Sequence, residues 1–152
     1  PNRAPTTHSS TPAPPRKYIL DTHVMSQPRK PQAEANVVAW AKSVIAPRMY
    51  ISAITLKELE TAVLRMERRD PAKGKVLRTW LKRHVMPAFD ARILPIDAAV
   101  ALRCASLHVP DQANESDALI AATALVHGLT VVTRNVSDFQ SSGVPLINPW
   151  DE

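Results

Sequence analysis

Four carboxylates stand where predicted strands and helices of this chain begin or end. Asp21 directly follows the short apolar run Tyr18-Ile19-Leu20, and Glu58 lies near the start of a predicted helix. Asp117 opens another predicted helix, and Asp138 lies shortly after a β-branched run. Because the carboxyl ends of parallel strands and the starts of the following helices share one edge of a sheet, we expect these four acids to converge.

Four converging carboxylates need a positive charge or a proton. Two bare carboxylates about 4 Å apart repel by roughly 4 kcal/mol at an effective dielectric of about 20. Either a bound cation or a raised pKa relieves that repulsion. Carboxylates, hydroxyls and water form a hard-oxygen environment, which favours Mg²⁺ or Mn²⁺ over zinc. Two such ions about 4 Å apart can hold a phosphodiester, activate a water and stabilise the leaving oxygen. The pattern therefore predicts metal-assisted phosphodiester chemistry.

Each acid taken singly also has a purely structural interpretation. Asp21 and Asp138 could begin turns, since Asp is a common turn residue. Thr55-x-x-Glu58 fits a capping box, in which the glutamate reaches back to the start of its helix. Asn114-x-x-Asp117 resembles a weaker form of the same device. These alternatives stay open for each acid, and the four together are the more informative pattern.

The elements that would position these acids alternate between strand and helix. Apolar runs predict strands at about 17–20, 49–52, 92–96, 129–133 and 144–147. Helical spacing of apolar residues predicts helices at about 32–45, 54–68, 75–85, 97–108 and 114–126. Pro95 indicates that the third strand is an edge strand, and Pro71 with Gly74 is expected to separate the second and third helices. The alternation predicts an α/β sandwich with a mostly parallel sheet.

Composition narrows the class of protein. The 152 residues, 45% of them hydrophobic, suffice for one domain with a sizeable core. We expect residues 1–16, rich in Pro, Ser and Thr, to form a flexible tail, residues 17–152 to form a single domain, and residues 27–31 to form a loop. The formal net charge of +5 suits a polyanionic partner such as RNA or DNA.

Several classes of protein are disfavoured. Because Cys104 is the single cysteine, an intramolecular disulfide is impossible, which fits a reducing, cytoplasmic location. No apolar run approaches the roughly 20 residues of a membrane span, and no secretory signal is visible. The chain has three glycines and lacks a glycine-rich nucleotide-binding loop.

Four segments carry a resemblance to a known family: Leu20–Ser26, Ser52–Leu59, Asp117–Ala124 and Thr133–Phe139. In this order they resemble the PIN-domain ribonucleases, and within them the VapC and FitB type of bacterial toxin. The resemblance covers about residues 17–150. It implies a three-layer α/β/α fold around a parallel sheet. It also implies a Mg²⁺- or Mn²⁺-dependent endoribonuclease toxin that leaves a 3′-hydroxyl and a 5′-phosphate.

The resemblance also implies roles for the acids. Asp21, Glu58 and Asp117 match the family's metal-binding acids, with Asp21 and Asp117 holding the principal ion and Glu58 completing its shell or orienting the attacking water. The family's fourth acid lies in the Thr133–Phe139 motif. Here Asn135 follows Thr-Arg and the acid comes later, as Asp138, so the fourth ligand is either Asp138 or Asn135.

Neighbouring polar residues are expected to support the site. The family usually has Asn at the position of His23, which could act as a neutral hydrogen-bonding partner or carry a positive charge when protonated. The hydroxyls of Thr22 and Thr133 are expected to hold water or the acids. Arg134 lies beside the acidic motif and is expected to contact the substrate.

The partners implied by the family are a cognate antitoxin, operator DNA through that antitoxin, and a second copy of the chain. A basic stretch over residues 65–83 either tracks an RNA backbone or is a solvated helical surface. The same helices could receive an amphipathic segment of the antitoxin.

Other functions compete with the toxin. The chain could be a degenerate PIN module that binds RNA or a protein without cutting. A phosphohydrolase with an aspartate nucleophile would need an acid where His23 stands. A zinc site at Cys104-x-x-x-His108 has suitable helical spacing, but the sequence indicates no further ligands.

Overall fold

A computed structural model describes residues 16–26 and 34–151. The predicted tail, apart from Arg16, and the predicted loop at 27–31 lie outside the described residues. The strands are β1 (Tyr18–Leu20), β2 (Met49–Ser52), β3 (Ile93–Leu94), β4 (Thr130–Val132) and β5 (Leu146–Ile147). The helices are α1 (Thr22–Ser26), α2 (Ala35–Ser43), α3 (Ala53–Arg69), α4 (Pro71–Trp80), α5 (Met86–Ala88), α6 (Ala98–Leu107) and α7 (Glu115–His127).

The five strands form one parallel sheet in the order β3-β2-β1-β4-β5. The first strand lies at the centre, where Ile19 pairs with Tyr50 of β2 and with Val131 of β4. The third and last strands of the sequence lie at the two edges, and the edge position of the third is the one that Pro95 predicts. All strands therefore end at the same side of the molecule, which also carries the starts of α1 and α3.

Side chains of successive strand residues alternate between the two faces of the sheet. Leu20 and Val132 belong to a core that also contains residues of α2, α3 and the π-helical turn Leu81–Val85. Ile19 and Val131 belong to the core on the opposite face, which includes residues of α7, and α6 packs on α7 through a further cluster. Helices thus cover both faces, and the predicted three-layer α/β/α fold is confirmed.

The break predicted between the second and third helices is misplaced. Pro71 is the first residue of α4 rather than part of a connecting loop, because proline suits the first turn of a helix. Asp70 caps this helix by accepting a hydrogen bond from the Lys73 N–H at 3.2 Å. Gly74 lies inside α4, where a Cβ atom would come 2.4 Å from Glu67 Cα. This glycine permits a close crossing of α3 and α4.

Two local features were not predicted. The five-residue helix α1 follows Asp21 directly, and α4 continues through a π-helical turn into α5.

None of the helices in the described part of the chain combines the length and apolar character needed to cross a bilayer.

Candidate active site

Asp21 stands at the end of the central strand and is held by two hydrogen bonds. The residue is only 5% exposed. Its Oδ1 accepts from the Thr22 N–H at 2.7 Å, and its Oδ2 accepts from the Thr133 hydroxyl at 2.9 Å. The Thr133 oxygen in turn accepts from the Asn135 N–H at 3.0 Å. Residues that follow β1 and β4 thus fix the orientation of this carboxylate.

A hydrogen bond from the side chain of Thr22 links Glu58 to the residues around Asp21. The Thr22 hydroxyl donates to Glu58 Oε1 at 2.6 Å and lies 3.2 Å from Thr55 Oγ1. The capping-box alternative for Thr55 and Glu58 is wrong, because α3 begins earlier and Ser52 caps it by accepting from the Ile54 N–H at 3.0 Å. The side chain of Glu58 therefore extends toward α1 rather than back to its own helix terminus.

Asp117 and Asp138 come from the other side of the same cleft. Asp117 lies in the first turn of α7, whose cap Asn114 accepts from the Asp117 N–H at 3.0 Å. Asp138 is exposed and lies in a 3₁₀ turn, Val136–Asp138, after β4. The cleft measures about 280 Å³ and is lined by Asp21, Thr22, His23, Glu58, Asn114, Ser116, Asp117, Asn135 and Asp138. The four predicted acids are thus brought together.

The pKa values of Asp117 and Asp21 reflect the burial and the crowding of carboxylates in the cleft. Burial raises the pKa of Asp117 to about 6, and the neighbouring carboxylates of Asp21, Asp138 and Glu58 add to this rise. Burial likewise raises the pKa of Asp21, although the hydrogen bond from Thr133 opposes the change. Both shifts mean that the cleft resists further negative charge, so a cation bound there would be favoured.

The donor set of the cleft suits a hard divalent cation. Its ligating atoms are carboxylate oxygens, supplemented by hydroxyl and amide groups, which match Mg²⁺ or Mn²⁺ better than zinc. Among residues 16–26 and 34–151, no three cleft acids bring their ligating atoms within 4.8 Å of one another.

The other predicted site residues occupy different positions. The side chain of His23 is 73% exposed at the rim, with Nδ1 3.9 Å from Asp21 Oδ2. Asn135 lines the cleft, and Thr133 is buried beneath it. Arg134 does not line the cleft: its guanidinium lies 5.4 Å from the Trp150 ring and 3.8 Å from a Glu34 oxygen.

Sequence reasoning missed three residues of this region. Asn114 and Ser116 line the cleft, and the sequence signal for Asn114 indicated only a helix cap. Thr55 lies completely buried beside Thr22. Its helical spacing from Glu58 was visible in the sequence, but the contact with Thr22 depends on how α1 and α3 pack.

A third candidate zinc ligand does lie beside Cys104 and His108. His108 Nε2 lies 3.1 Å from a Glu115 oxygen, and Cys104 Sγ lies 3.9 Å from the other oxygen. However, His108 Nδ1 accepts a hydrogen bond from the Ala113 N–H at 3.0 Å, so the ring proton is on Nε2, where a metal would bind. Burial, helped by Glu115, also raises the pKa of the Cys104 thiol. These contacts fasten α6 to α7 and do not suit zinc.

The basic stretch on α3 and α4 is partly engaged within the protein. Arg78 pairs with Glu60 at 2.6 Å and with Glu67 at 3.2 Å, which ties the two helices together.

A cavity of about 560 Å³, lined by residues of α4 and of the π-helical turn, is larger than the acidic cleft. Its lining includes Val76, Trp80 and His84 but none of the four acids. Its chemistry therefore gives no reason to prefer it as a catalytic site.

Comparison with known proteins agrees with this geometry. The PIN domain family matches residues 18–141. Toxin FitB of Neisseria gonorrhoeae is 39% identical over 139 residues, which cover 88% of this chain and 99% of FitB. The VapC ribonuclease Y4jK of Sinorhizobium fredii is 34% identical over 140 residues, covering 88% of this chain and 97% of that protein.

Solved structures show the same likeness. The crystal structure of FitAcB from Neisseria gonorrhoeae superimposes with a TM-score of 0.83 at 38% identity, covering 89% of this chain and 99% of that chain. A structure of FitAB bound to the IR36 DNA fragment gives 0.78 at 35% identity, covering 88% and 95%. The chain belongs to the PIN domain family.

Proposed function

We propose that this protein is a divalent-metal-dependent endoribonuclease toxin that a cognate antitoxin protein neutralises. The observation that carries the proposal is the convergence of Asp21, Glu58, Asp117 and Asp138 on one cleft at the carboxyl edge of the sheet. The raised pKa values of Asp21 and Asp117 support a cation there. The names of its relatives, a FitB toxin and a VapC ribonuclease, support RNA cleavage and toxicity.

In this proposal Asp21 and Asp117 would hold the principal Mg²⁺ or Mn²⁺ ion. Glu58 would complete the set or orient the attacking water, and Asp138 or Asn135 would contact a second ion or its waters. Bound ions of this kind neutralise the carboxylates, polarise a phosphodiester and activate a water at neutral pH. Of these two residues, which both line the cleft, we favour Asp138 as the fourth ligand because it carries a carboxylate, which acts on Asp117.

The remaining polar residues keep the acids in position. Thr133 and the Thr22 backbone fix both oxygens of Asp21, so this carboxylate is oriented before any ligand binds. Thr22 fixes one oxygen of Glu58 and leaves the other to act on water. His23 is exposed enough to meet an RNA phosphate at the rim. Arg134 would contact only those parts of a substrate that extend beyond the cleft toward Trp150.

The proposed partners are RNA, a cognate antitoxin and a second copy of the chain. RNA suits the net charge of +5. The FitAB structure bound to a DNA fragment supports an antitoxin that carries the complex to operator DNA. Homodimerisation and a cytoplasmic location remain predictions from the family resemblance and the cysteine content.

Cleavage of total bacterial RNA by the purified, antitoxin-free protein tests the proposal. Discrete products are expected with Mg²⁺ or Mn²⁺, but not with EDTA. The Asp21→Asn and Asp117→Asn variants are expected to be inactive, whereas Asp111→Asn, an exposed acid away from the cleft, serves as the matched control and stays active. Metal-independent RNA binding without cleavage would overturn the proposal in favour of the non-catalytic module.

A further inference from the structure

We propose that Thr55, a buried residue of α3, is a positioning residue that holds Glu58 in place through the hydroxyl of Thr22. The inference rests on the proposed function, because it gives Glu58 a role in metal-dependent cleavage. Thr55 is 0% exposed, so neither an ion nor an RNA chain can touch it. Its effect on the cleft must pass through Thr22.

The positions of the hydroxyl protons follow from the three oxygens involved. Thr22 has one hydroxyl proton, and the 2.6 Å contact with Glu58 Oε1 uses it, since an ionised carboxylate only accepts. Since the Thr22 proton is taken up by the shorter contact with Glu58, the proton of the 3.2 Å contact between Thr22 Oγ1 and Thr55 Oγ1 is assigned to the Thr55 hydroxyl, which can rotate to donate it. The hydrogen bonds therefore run in one direction, from Thr55 to Thr22 to Glu58.

With this direction, Thr55 is the group that fixes the orientation of the Thr22 hydroxyl proton. A threonine hydroxyl proton rotates to suit the acceptors within reach, and both Glu58 Oε1 and Thr55 Oγ1 lie within hydrogen-bond distance of Thr22. By donating to Thr22, the Thr55 hydroxyl leaves the Thr22 proton aimed at Glu58. Chains of hydrogen bonds in a buried setting also strengthen one another.

A second buried helical threonine shows that this arrangement is not what a helix imposes. The Thr123 hydroxyl of α7 donates to the Leu119 carbonyl of its own helix at 2.7 Å, the usual partner four residues earlier. Thr123 is equally buried, at 0% exposure. Thr55 instead bonds across to α1, and its helix already has Ser52 as a cap. Thr55 and Thr123 form a matched pair, one hydroxyl aimed at the site and one bound within its helix.

The test compares Thr55→Val, Thr55→Ser and Thr123→Val in the full chain. Valine keeps the shape of threonine without its hydroxyl, and serine keeps the hydroxyl. We expect Thr55→Val to weaken Mn²⁺ binding, measured by calorimetry, by about 10-fold, the lower end for loss of a partner that orients a metal ligand. We expect kcat for RNA cleavage to fall similarly with KM little changed, and Thr55→Ser to restore both.

Thr123→Val separates positioning from folding. It removes an equally buried hydroxyl and is expected to lower stability to urea, but to leave Mn²⁺ affinity and kcat at the values of the unsubstituted protein. The proposal is overturned if Thr55→Val binds Mn²⁺ and cleaves RNA as the unsubstituted protein does, or if Thr55→Ser fails to restore what Thr55→Val loses.

A crystal structure of metal-free Thr55→Val distinguishes failure of this inference from failure of the proposed function. If the unsubstituted protein neither binds Mn²⁺ nor cuts RNA, the proposed function fails. The positioning role is then judged by the Thr22–Glu58 contact alone. Lengthening of the contact between Thr22 Oγ1 and Glu58 Oε1 supports it, and an unchanged contact overturns it.

Discussion

The Thr22 hydroxyl donates a 2.6 Å hydrogen bond to Glu58 Oε1 across 36 positions of the sequence. The backbone N–H of the same residue donates to Asp21 Oδ1 at 2.7 Å. One residue at the start of α1 thus orients two of the four cleft acids. The carboxylate of Asp21 is held by the backbone of Thr22, and that of Glu58 by its side chain.

This division predicts that Thr22→Val impairs Glu58 while leaving Asp21 in place. We expect metal affinity and cleavage to fall between about 10- and 100-fold, the range for loss of a group that orients a metal ligand. Thr22→Ser keeps the hydroxyl and should stay within a few-fold of the unsubstituted protein. Calorimetry with Mn²⁺ and single-turnover cleavage provide the measurement, and equal activity of the Val and Ser variants would contradict the prediction.

Substitution of Asp117 should separate function from folding. Asp117→Asn removes a carboxylate whose ionisation is resisted by burial and by three other acids. We expect loss of cleavage by more than about 100-fold, above the range for a residue that only orients a ligand. In EDTA at pH 8, the variant should resist urea at least as well as the unsubstituted protein. A variant that unfolds at clearly lower urea would show that the carboxylate has a structural role instead.

The same carboxylate predicts the pH dependence of stability without metal. The pKa of Asp117 is raised from 3.8 to about 6 in the folded protein, so its contribution to stability is complete below 3.8 and is lost as the pH rises through about 6. Asp21 acts in the same direction. We expect the free energy of unfolding, compared with Asp117→Asn, to decline between about pH 4 and pH 7.

Added Mg²⁺ provides the control for this pH dependence. Because the ion binds the ionised carboxylates, it should reduce or reverse the decline in the unsubstituted protein. Urea unfolding at several pH values, with EDTA or with Mg²⁺, gives both curves. A difference between the two proteins that does not vary with pH would contradict the assignment to Asp117.

The centre of the sheet could be predicted from the sequence because β1 and β4 are buried on both faces. Ile19 and Leu20 are adjacent, apolar and directed to opposite cores, so the run is continuous rather than alternating. The limits of β2 follow for the same reason. Helix α1 could not be predicted in this way, because five residues provide too little spacing for a periodic pattern.

The candidate site, like the fold, could be predicted from the sequence only in part. Asp21 and Asp117 could be placed together because they stand at the end of β1 and the start of α7, and Glu58 because it lies within the first two turns of α3. Thr55 and Ser116 could not, since small hydroxyl residues near helix starts usually indicate caps and their contacts depend on packing. The close approach of Gly74 to Glu67 could not be predicted either, because it depends on how α3 and α4 pack against each other.

Gly74 provides a test of that helix crossing. A Cβ atom there would lie 2.4 Å from Glu67 Cα and 2.6 Å from Glu67 N. These are backbone atoms that cannot rotate away, so Gly74→Ala should cost about 1–3 kcal/mol of unfolding free energy despite the better helix propensity of alanine. Urea denaturation measures the loss, with Lys75→Ala, an exposed position on the same helix, as the control. Unchanged stability would mean that α3 and α4 separate without cost.

The choice between Asp138 and Asn135 as the fourth ligand can be decided by matched variants. Asp138 is one of the charges that raise the pKa of Asp117. Asn135 is neutral, and its hydrogen bond to the Thr133 hydroxyl oxygen comes from the backbone N–H, which alanine would retain. We therefore expect Asp138→Asn to weaken Mn²⁺ binding by about 10-fold or more, and Asn135→Ala to change it only a few-fold.

A third variant, Asn135→Asp, tests the position itself. It restores an acid after Thr-Arg, where the family resemblance implies one, and it adds negative charge to the cleft. If Asp138 is the ligand, this acid should not rescue Asp138→Asn fully, because Asn135 precedes the 3₁₀ turn and Asp138 ends it. Calorimetry on the single and double variants decides the matter. If Asn135→Ala weakens Mn²⁺ binding more than Asp138→Asn does, Asn135 is the fourth ligand instead.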